Sequence, residues 1–72
     1  MPPRTAWAIA LDRALDRFAG EYPDEEQVVQ LRFFGGLSAA ETAEVLGVSR
    51  RTVDRRWIFA RAWLSRQLRG GA

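Results

Sequence analysis

Hydrophobic side chains recur every three or four residues along the first part of the chain, which is the period of an amphipathic helix. A first helix is therefore predicted over residues 6–19, and Gly20 is expected to end it. The hydrophobic stripe of this helix consists of Trp7, Leu11, Ala14, Leu15 and Phe18.

A second helix is predicted over residues 24–34. Asp24 and Gln27 have the spacing of a capping box, and the two glutamates between them suit the positive end of the helix dipole. We expect this helix to end at two consecutive glycines and to bury Val28, Leu31 and Phe34.

Two helix starts lie close together between residues 37 and 57. Ser38 and Glu41 have capping-box spacing, which begins a helix over residues 39–46. Gly47 is expected to end this helix in the left-handed conformation, because glycine adopts it at little steric cost. Ser49 then caps a last helix over residues 50–69, while Val48 turns into the core. Two helices joined by so short a turn are typical of a helix-turn-helix.

The last helix is predicted to have a hydrophobic and a basic face. The hydrophobic stripe consists of Val53, Trp57, Ala60 and Leu64.

At about 100° per residue, Arg51 and Arg55 point away from the hydrophobic stripe. They would face a DNA major groove, whereas Arg50 and Arg56 lie nearer the core edge, where side chains more often reach phosphates. A charge run is also typical of a solvated helix face, but the capped turn directly before these arginines favours DNA contact. The flanks of the basic face carry Thr52, Asp54 and Ile58.

Charge is divided unevenly along the chain. Residues 1–47 contain four arginines and eight acidic residues, a net charge of −4, whereas residues 48–72 contain seven arginines and one acidic residue, a net charge of +6. This pattern is expected when one face meets a polyanion.

Phe59 and Trp63 lie four residues apart on a flank that the hydrophobic stripe does not use. One interpretation is that they pack on the first helix, against Trp7 or Phe18. The other is that they form part of a groove for another protein.

Length and composition narrow the function classes. The 72 residues suit one small domain whose core a partner could complete. Without Cys or His, a structural zinc site and thiol chemistry are excluded, and no cofactor is expected. No apolar run reaches the roughly 20 residues of a membrane span, and the first residues lack a signal-peptide core, so a cytoplasmic protein without membrane contact is expected. Residues 1–4 and 70–72 are expected to fray.

An enzyme is the least supported class. The hydroxyls of Ser38 and Ser49 are accounted for as helix caps, and no His or Lys is present to act as a base. Asp24, Glu25 and Glu26 could hold a hard cation only if further carboxylates converged on them, and their place at a helix start explains them better.

Three segments carry a family resemblance: LRFFGGLS at residues 31–38, ETAEVLGVS at residues 41–49 and T-V-x-R-x-W at residues 52–57. Through them, residues 11–68 resemble region four of bacterial sigma factors, in the extracytoplasmic-function group of the sigma-seventy family. The resemblance implies an all-α domain of four helices with a C-terminal helix-turn-helix, similar to winged-helix domains but without a wing. No segment resembles region two, which melts the minus-ten element, so we expect an excised domain or a partial protein.

This resemblance also implies a function. Such a domain reads the minus-thirty-five element of double-stranded promoter DNA and docks on the β flap of RNA polymerase during transcription initiation. Phe59 occupies a position that is commonly basic in the broader family, which weakens phosphate binding there. By position, base reading is assigned to Arg51, Asp54 and Arg55, and DNA backbone contact to Ser38, Arg50, Thr52 and Arg56.

Two other function classes stay open. A free-standing helix-turn-helix regulator would bind two half-sites as a dimer, so a monomer in solution would count against it. A protein-interaction module bound by an anti-sigma factor would use Phe59 and Trp63 and leave the arginines unused.

Overall fold

The computed structural model describes residues 3–70, which form four α-helices and one short π-helix and contain no strand. The helices are α1 (Pro3–Glu21), α2 (Pro23–Val29), α3 (Ala39–Leu46) and α4 (Arg50–Gly70), and the π-helix (Gln30–Phe34) continues α2. The all-α fold class predicted from the sequence is thereby confirmed. The molecule measures 42 × 20 × 17 Å, since the two longest helices, α1 and α4, contain 19 and 21 residues.

Both chain ends are more helical than predicted. Residues 3–4 begin α1 and residue 70 ends α4, so the fraying expected of these three residues is wrong. The rest of that prediction concerns residues 1–2 and 71–72, which lie outside the described residues.

Proline, and not Gly20, separates the first two helices. α1 continues through Gly20, and the backbone N–H of Tyr22 still donates to the carbonyl oxygen of Phe18 at 2.7 Å. Pro23 stops the run because proline has no N–H and restricts the residue before it. Tyr22 accordingly leaves helical geometry, with φ −135° and ψ 66°.

The capping box predicted for Asp24 and Gln27 does not form. Pro23 occupies the first position of α2, where its missing N–H costs nothing, so the N-cap falls on Tyr22 and no side chain caps the helix. Asp24 lies in the first turn with two glutamates, where acidic groups favour the positive end of the helix dipole.

The second predicted helix changes from α to π geometry at residue 30. The N–H of Gly35 donates to the carbonyl oxygen of Gln30 at 2.8 Å, five residues back, and the wider turn shifts the side-chain register. Phe34, predicted to be buried, is therefore 55% exposed beside Phe33, which is 65% exposed. Glycine is required at position 35, because a Cβ there would lie 2.8 Å from the carbonyl oxygen of Leu31.

Two hydrophobic clusters hold the helices together, and Trp57 of α4 packs against both. Since one side chain joins the clusters, the orientation of α4 depends on it. Val53 and Ala60 are fully buried, and Leu64 is partly buried, so the predicted hydrophobic stripe is confirmed. The buried members of the first cluster are Val28, Ala39, Ala43 and Val53, and those of the second are Phe18, Val29 and Ala60.

Candidate nucleic-acid interface

The first helix of the candidate interface, α3, begins at a complete capping box. The Glu41 N–H donates to Ser38 Oγ at 3.1 Å, and the Ser38 N–H donates to Glu41 Oε1 at 2.8 Å. The bond from the Ser38 N–H, together with a hydrogen bond between the Ser38 side chain and the carboxyl, holds the pKa of the Glu41 carboxyl below its ordinary value, since both favour the charged form. The buried Thr42 adds a bond from its hydroxyl to the Ser38 carbonyl oxygen at 2.8 Å, so the start of α3 is firmly fixed.

The turn between α3 and α4 has the predicted left-handed glycine. Gly47 has φ 68° and ψ 32°, and its N–H donates to the carbonyl oxygen of Glu44 at 3.3 Å. The N–H of Val48 donates to the carbonyl oxygen of Ala43 at 3.1 Å, and the Val48 side chain packs on the first hydrophobic cluster. This pattern closes the end of α3 within two residues and sets the angle to α4.

Ser49 caps α4 as predicted. Its Oγ accepts the N–H of Thr52 at 3.1 Å and donates to Thr52 Oγ1 at 3.0 Å. The hydroxyl of Thr52 thus already has one partner at the cap, and the side chain is partly buried.

The outward face of α4 presents Arg51 and Arg55, both exposed. Val53, two residues from each, is completely buried, so the two arginines lie on the side of the helix opposite the core. Neither forms an ion pair with another described residue.

Arg50 and Asp54 form an exposed pair on the first turns of α4. The Arg50 Nε lies 4.0 Å from Asp54 Oδ2, and the two side chains are 71% and 51% exposed. Both remain accessible to a ligand, since an exposed pair at this distance is weakly held.

Arg56 differs from the other arginines near the start of α4. Only 24% of its side chain is exposed, and its Nη2 lies 4.0 Å from Oδ2 of Asp24 on α2. Arg56 therefore links α4 to the start of α2.

Arg32 on the π-helix is a residue that the sequence patterns did not single out. Its guanidinium lies over the ring of Trp57, with Cζ 5.0 Å from the ring centroid, and its Nε is buried without a hydrogen-bond partner among the described residues. No local spacing signals this contact, because the two residues are 25 positions apart.

Phe59 and Trp63 pack on Phe18 of α1, which is one of the two partners that the first interpretation of this pair predicted. The Phe18 ring centroid lies 4.9 Å from that of Trp63 and 6.2 Å from that of Phe59. Tyr22 completes the cluster at 4.8 Å from Phe59. Trp63 is partly buried, whereas Phe59 stays 39% exposed.

A separate apolar groove of about 270 Å³ opens between α1, the π-helix and α4. Its exposed aromatic rings are Trp7, 56% exposed, together with Phe33 and Phe34, which form an edge-to-face pair. Periodicity placed Trp7 and Phe34 on core stripes, so sequence reasoning missed this surface. The side chains that line the groove include Trp7, Leu11, Phe33, Phe34, Arg61 and Leu64.

None of the helices over residues 3–70 combines the length and the apolar character that crossing a bilayer requires. No group of three or more acidic side chains within residues 3–70 is arranged to hold a metal ion.

Comparison with known proteins identifies a family. The family model of the ECF sigma factors matches residues 3–70, which is nearly the whole chain. Searches of curated proteins and of solved structures found no match. A capped helix-turn-helix with an arginine-bearing last helix, in an all-helical domain, agrees with this family, whose members are initiation factors that associate with RNA polymerase and recognise promoters. The chain belongs to the ECF sigma factor family.

Proposed function

We propose that the protein is a region-four-type domain that reads the minus-thirty-five promoter element through α4. The observation that carries the proposal is the exposure of Arg51 and Arg55 on the outward face of α4, within two turns of a well-capped helix start. In a helix-turn-helix these positions meet the major groove, and arginine binds guanine there through two hydrogen bonds.

The residues of α3 and α4 near the outward face are assigned different roles in DNA contact according to their position. Arg51, Asp54 and Arg55 are proposed to read bases, and Arg50 and Thr52 to contact the DNA backbone beside them. Ser38 is proposed to present the start of α3 to a phosphate. Arg56 is proposed to add to the positive field while remaining tied to α2 through Asp24.

The proposal implies a cytoplasmic location, where promoter DNA and RNA polymerase occur, and a binding role with no catalytic step.

The DNA-binding face can be tested with two double variants of equal charge. Arg51 and Arg55 together changed to Ala should lower duplex affinity at least about tenfold, because both side chains are exposed to the groove. Arg66 and Arg69 changed to Ala serve as the control, since they lie on the same helix but about 16 Å or more further along its axis than Arg55. Fluorescence anisotropy with promoter duplexes measures both. Equal losses for the two double variants would contradict the proposed interface.

We propose that the apolar groove holds a helix of the β flap of RNA polymerase. Three facts support this occupant: the family associates with RNA polymerase, the groove is almost entirely apolar, and Arg61 lies at its wall. An amphipathic helix fits such a groove with its apolar face down, and an acidic residue at its edge would pair with Arg61. The groove is lined by the side of α4 that carries Ala60 and Leu64, so a helix bound there leaves Arg51 and Arg55 available to DNA.

Replacing one exposed aromatic ring tests the docking proposal. Phe34→Ser should reduce binding to RNA polymerase core at least about tenfold, because its ring lines the groove. Ile9→Ser is the matched control, since Ile9 is also about half exposed, at 51%, but does not line the groove. Pull-down with polymerase core and duplex binding are measured for both variants. Retained polymerase binding by Phe34→Ser would exclude this groove.

A further inference from the structure

Asp54 occupies a position that helix stability does not explain. It is the one acidic residue of α4 and lies among Arg50, Arg51, Arg55 and Arg56. As the fifth residue of the helix, it is beyond the first turn, where an acidic group gains from the helix dipole. Its pair with Arg50 has the less favourable order, basic before acidic, and is exposed, so it adds little stability.

A carboxylate on this face also weakens general DNA binding, because it faces the same phosphates that the arginines attract. The ionised carboxylate of Asp54 can accept hydrogen bonds but cannot donate one. In the major groove, cytosine presents its N4 amino donor, whereas guanine presents only acceptors. Adenine also presents an amino donor, but beside its N7 acceptor, which repels a carboxylate. A carboxylate therefore favours cytosine and repels guanine.

From this placement, and resting on the proposed function, we propose that Asp54 is a specificity-determining residue that accepts a hydrogen bond from the N4 amino group of a cytosine in the promoter. Asp54 is 51% exposed and lies on the flank of the face that Arg51 and Arg55 form. Arg50 Nε lies 4.0 Å from the carboxylate in the free protein, and because this exposed pair is weak it leaves Asp54 available to the cytosine and Arg50 available to a phosphate.

Selection from a random duplex library tests this assignment, with the whole 72-residue chain at low ionic strength, where electrostatic affinity is highest. The parent protein should enrich a site that includes one cytosine dependent on Asp54. Asp54→Ala should lose the preference at that single position, and Asp54→Asn should change it to adenine, because asparagine pairs with the N6 and N7 atoms of adenine. Helical circular dichroism should be unchanged for both, since the side chain is exposed.

Affinity for unrelated duplexes gives a second readout. Asp54→Ala should bind them about three- to tenfold more tightly, because a charge repelled by phosphate is removed. Asp12→Asn, which removes an exposed charge from α1, is the control and should have little effect.

The outcome of the selection distinguishes a wrong assignment of Asp54 from a wrong proposed function. If the parent selects a site but neither Asp54 variant changes any position, or if the position that changes was not cytosine, the assignment of Asp54 is wrong and the proposed function stands. If the parent selects no sequence at all, the proposed function and the assignment both fail.

Discussion

At the scale of single residues, hydrogen-bonding side chains next to the turn fix the helix-turn-helix. Ser38 and Ser49 each accept a backbone N–H three residues ahead, at 3.1 Å, and so satisfy donors that a helix start leaves open. Both caps were predictable from sequence because they act over three residues. The link from Asp24 to Arg56 and the stacking of Arg32 on Trp57 were not predictable, because they join residues 32 and 25 positions apart.

The Glu41 carboxylate makes the stability of α3 depend on pH. Because its pKa is lowered in the folded protein by the hydrogen bonds with Ser38, its contribution is present above the ordinary glutamate pKa and is lost as pH falls through the lowered pKa. Glu41→Gln keeps a capping side chain without the charge. Thermal melts of both proteins should differ most near neutral pH and converge in acid. A constant difference across the range would contradict this account of Glu41.

Neighbouring arginines on α4 are expected to behave differently on DNA. Arg55→Ala should cost about 1–3 kcal/mol on the preferred site and blur one base position, because its side chain is exposed on the outward face. Arg50→Ala should weaken all sequences alike. Selected-site sequencing with affinity measurements separates the two effects. An equal loss of affinity on every sequence for Arg55→Ala would show that Arg55 contacts the DNA backbone and does not read a base.

At the scale of elements, the turn and the π-helix determine which side chains reach the surface. The bounds of α3, and the start of α4, follow from caps and a left-handed glycine that local sequence reveals. The π-helix does not follow from periodicity, because a 3.6-residue pattern assumes one register throughout the second predicted helix. One wider turn placed Phe34 outside the core and formed one wall of the groove.

Two glycines allow a matched test of the turn. Gly47→Ala should destabilise the protein by about 1–2 kcal/mol, because a Cβ disfavours its positive φ although the surrounding space is open. Gly20→Ala should instead stabilise it by about 0.5–1 kcal/mol, since Gly20 lies within a helix and also has open space around it. Urea denaturation measures both. A Gly47→Ala variant as stable as the parent would show that the turn does not require the left-handed residue.

At the scale of the whole molecule, α4 forms part of two surfaces, the basic face and the apolar groove. Its outward side carries the arginines, while its inward side joins both hydrophobic clusters through Trp57 and lines the groove. The amphipathic pattern predicted this division of α4. It did not predict the groove, whose shape depends on how α1 and the π-helix pack around the helix.

Trp57 should therefore be critical for folding. Trp57→Ala is expected to cost about 3–5 kcal/mol, a large share of the stability of so small a domain, because it removes contacts from both clusters. Trp7→Ala is the control and should change stability by less than about 1 kcal/mol, since Trp7 is 56% exposed. Circular dichroism melts compare them. Similar melts for Trp57→Ala and the parent would place Trp57 outside the core and invalidate the assignment of the outward face of α4.

The central claim is that the basic face of α4 binds duplex DNA. The most direct test is a binding titration of the chain against a promoter duplex, repeated at salt concentrations from about 50 to 200 mM. If four to six phosphates are neutralised, log affinity should fall against log salt with a slope of about −4 to −5, and less steeply for the variant with Arg51 and Arg55 changed to Ala. A slope near zero for the parent protein, or the same slope for that variant, would contradict the claim.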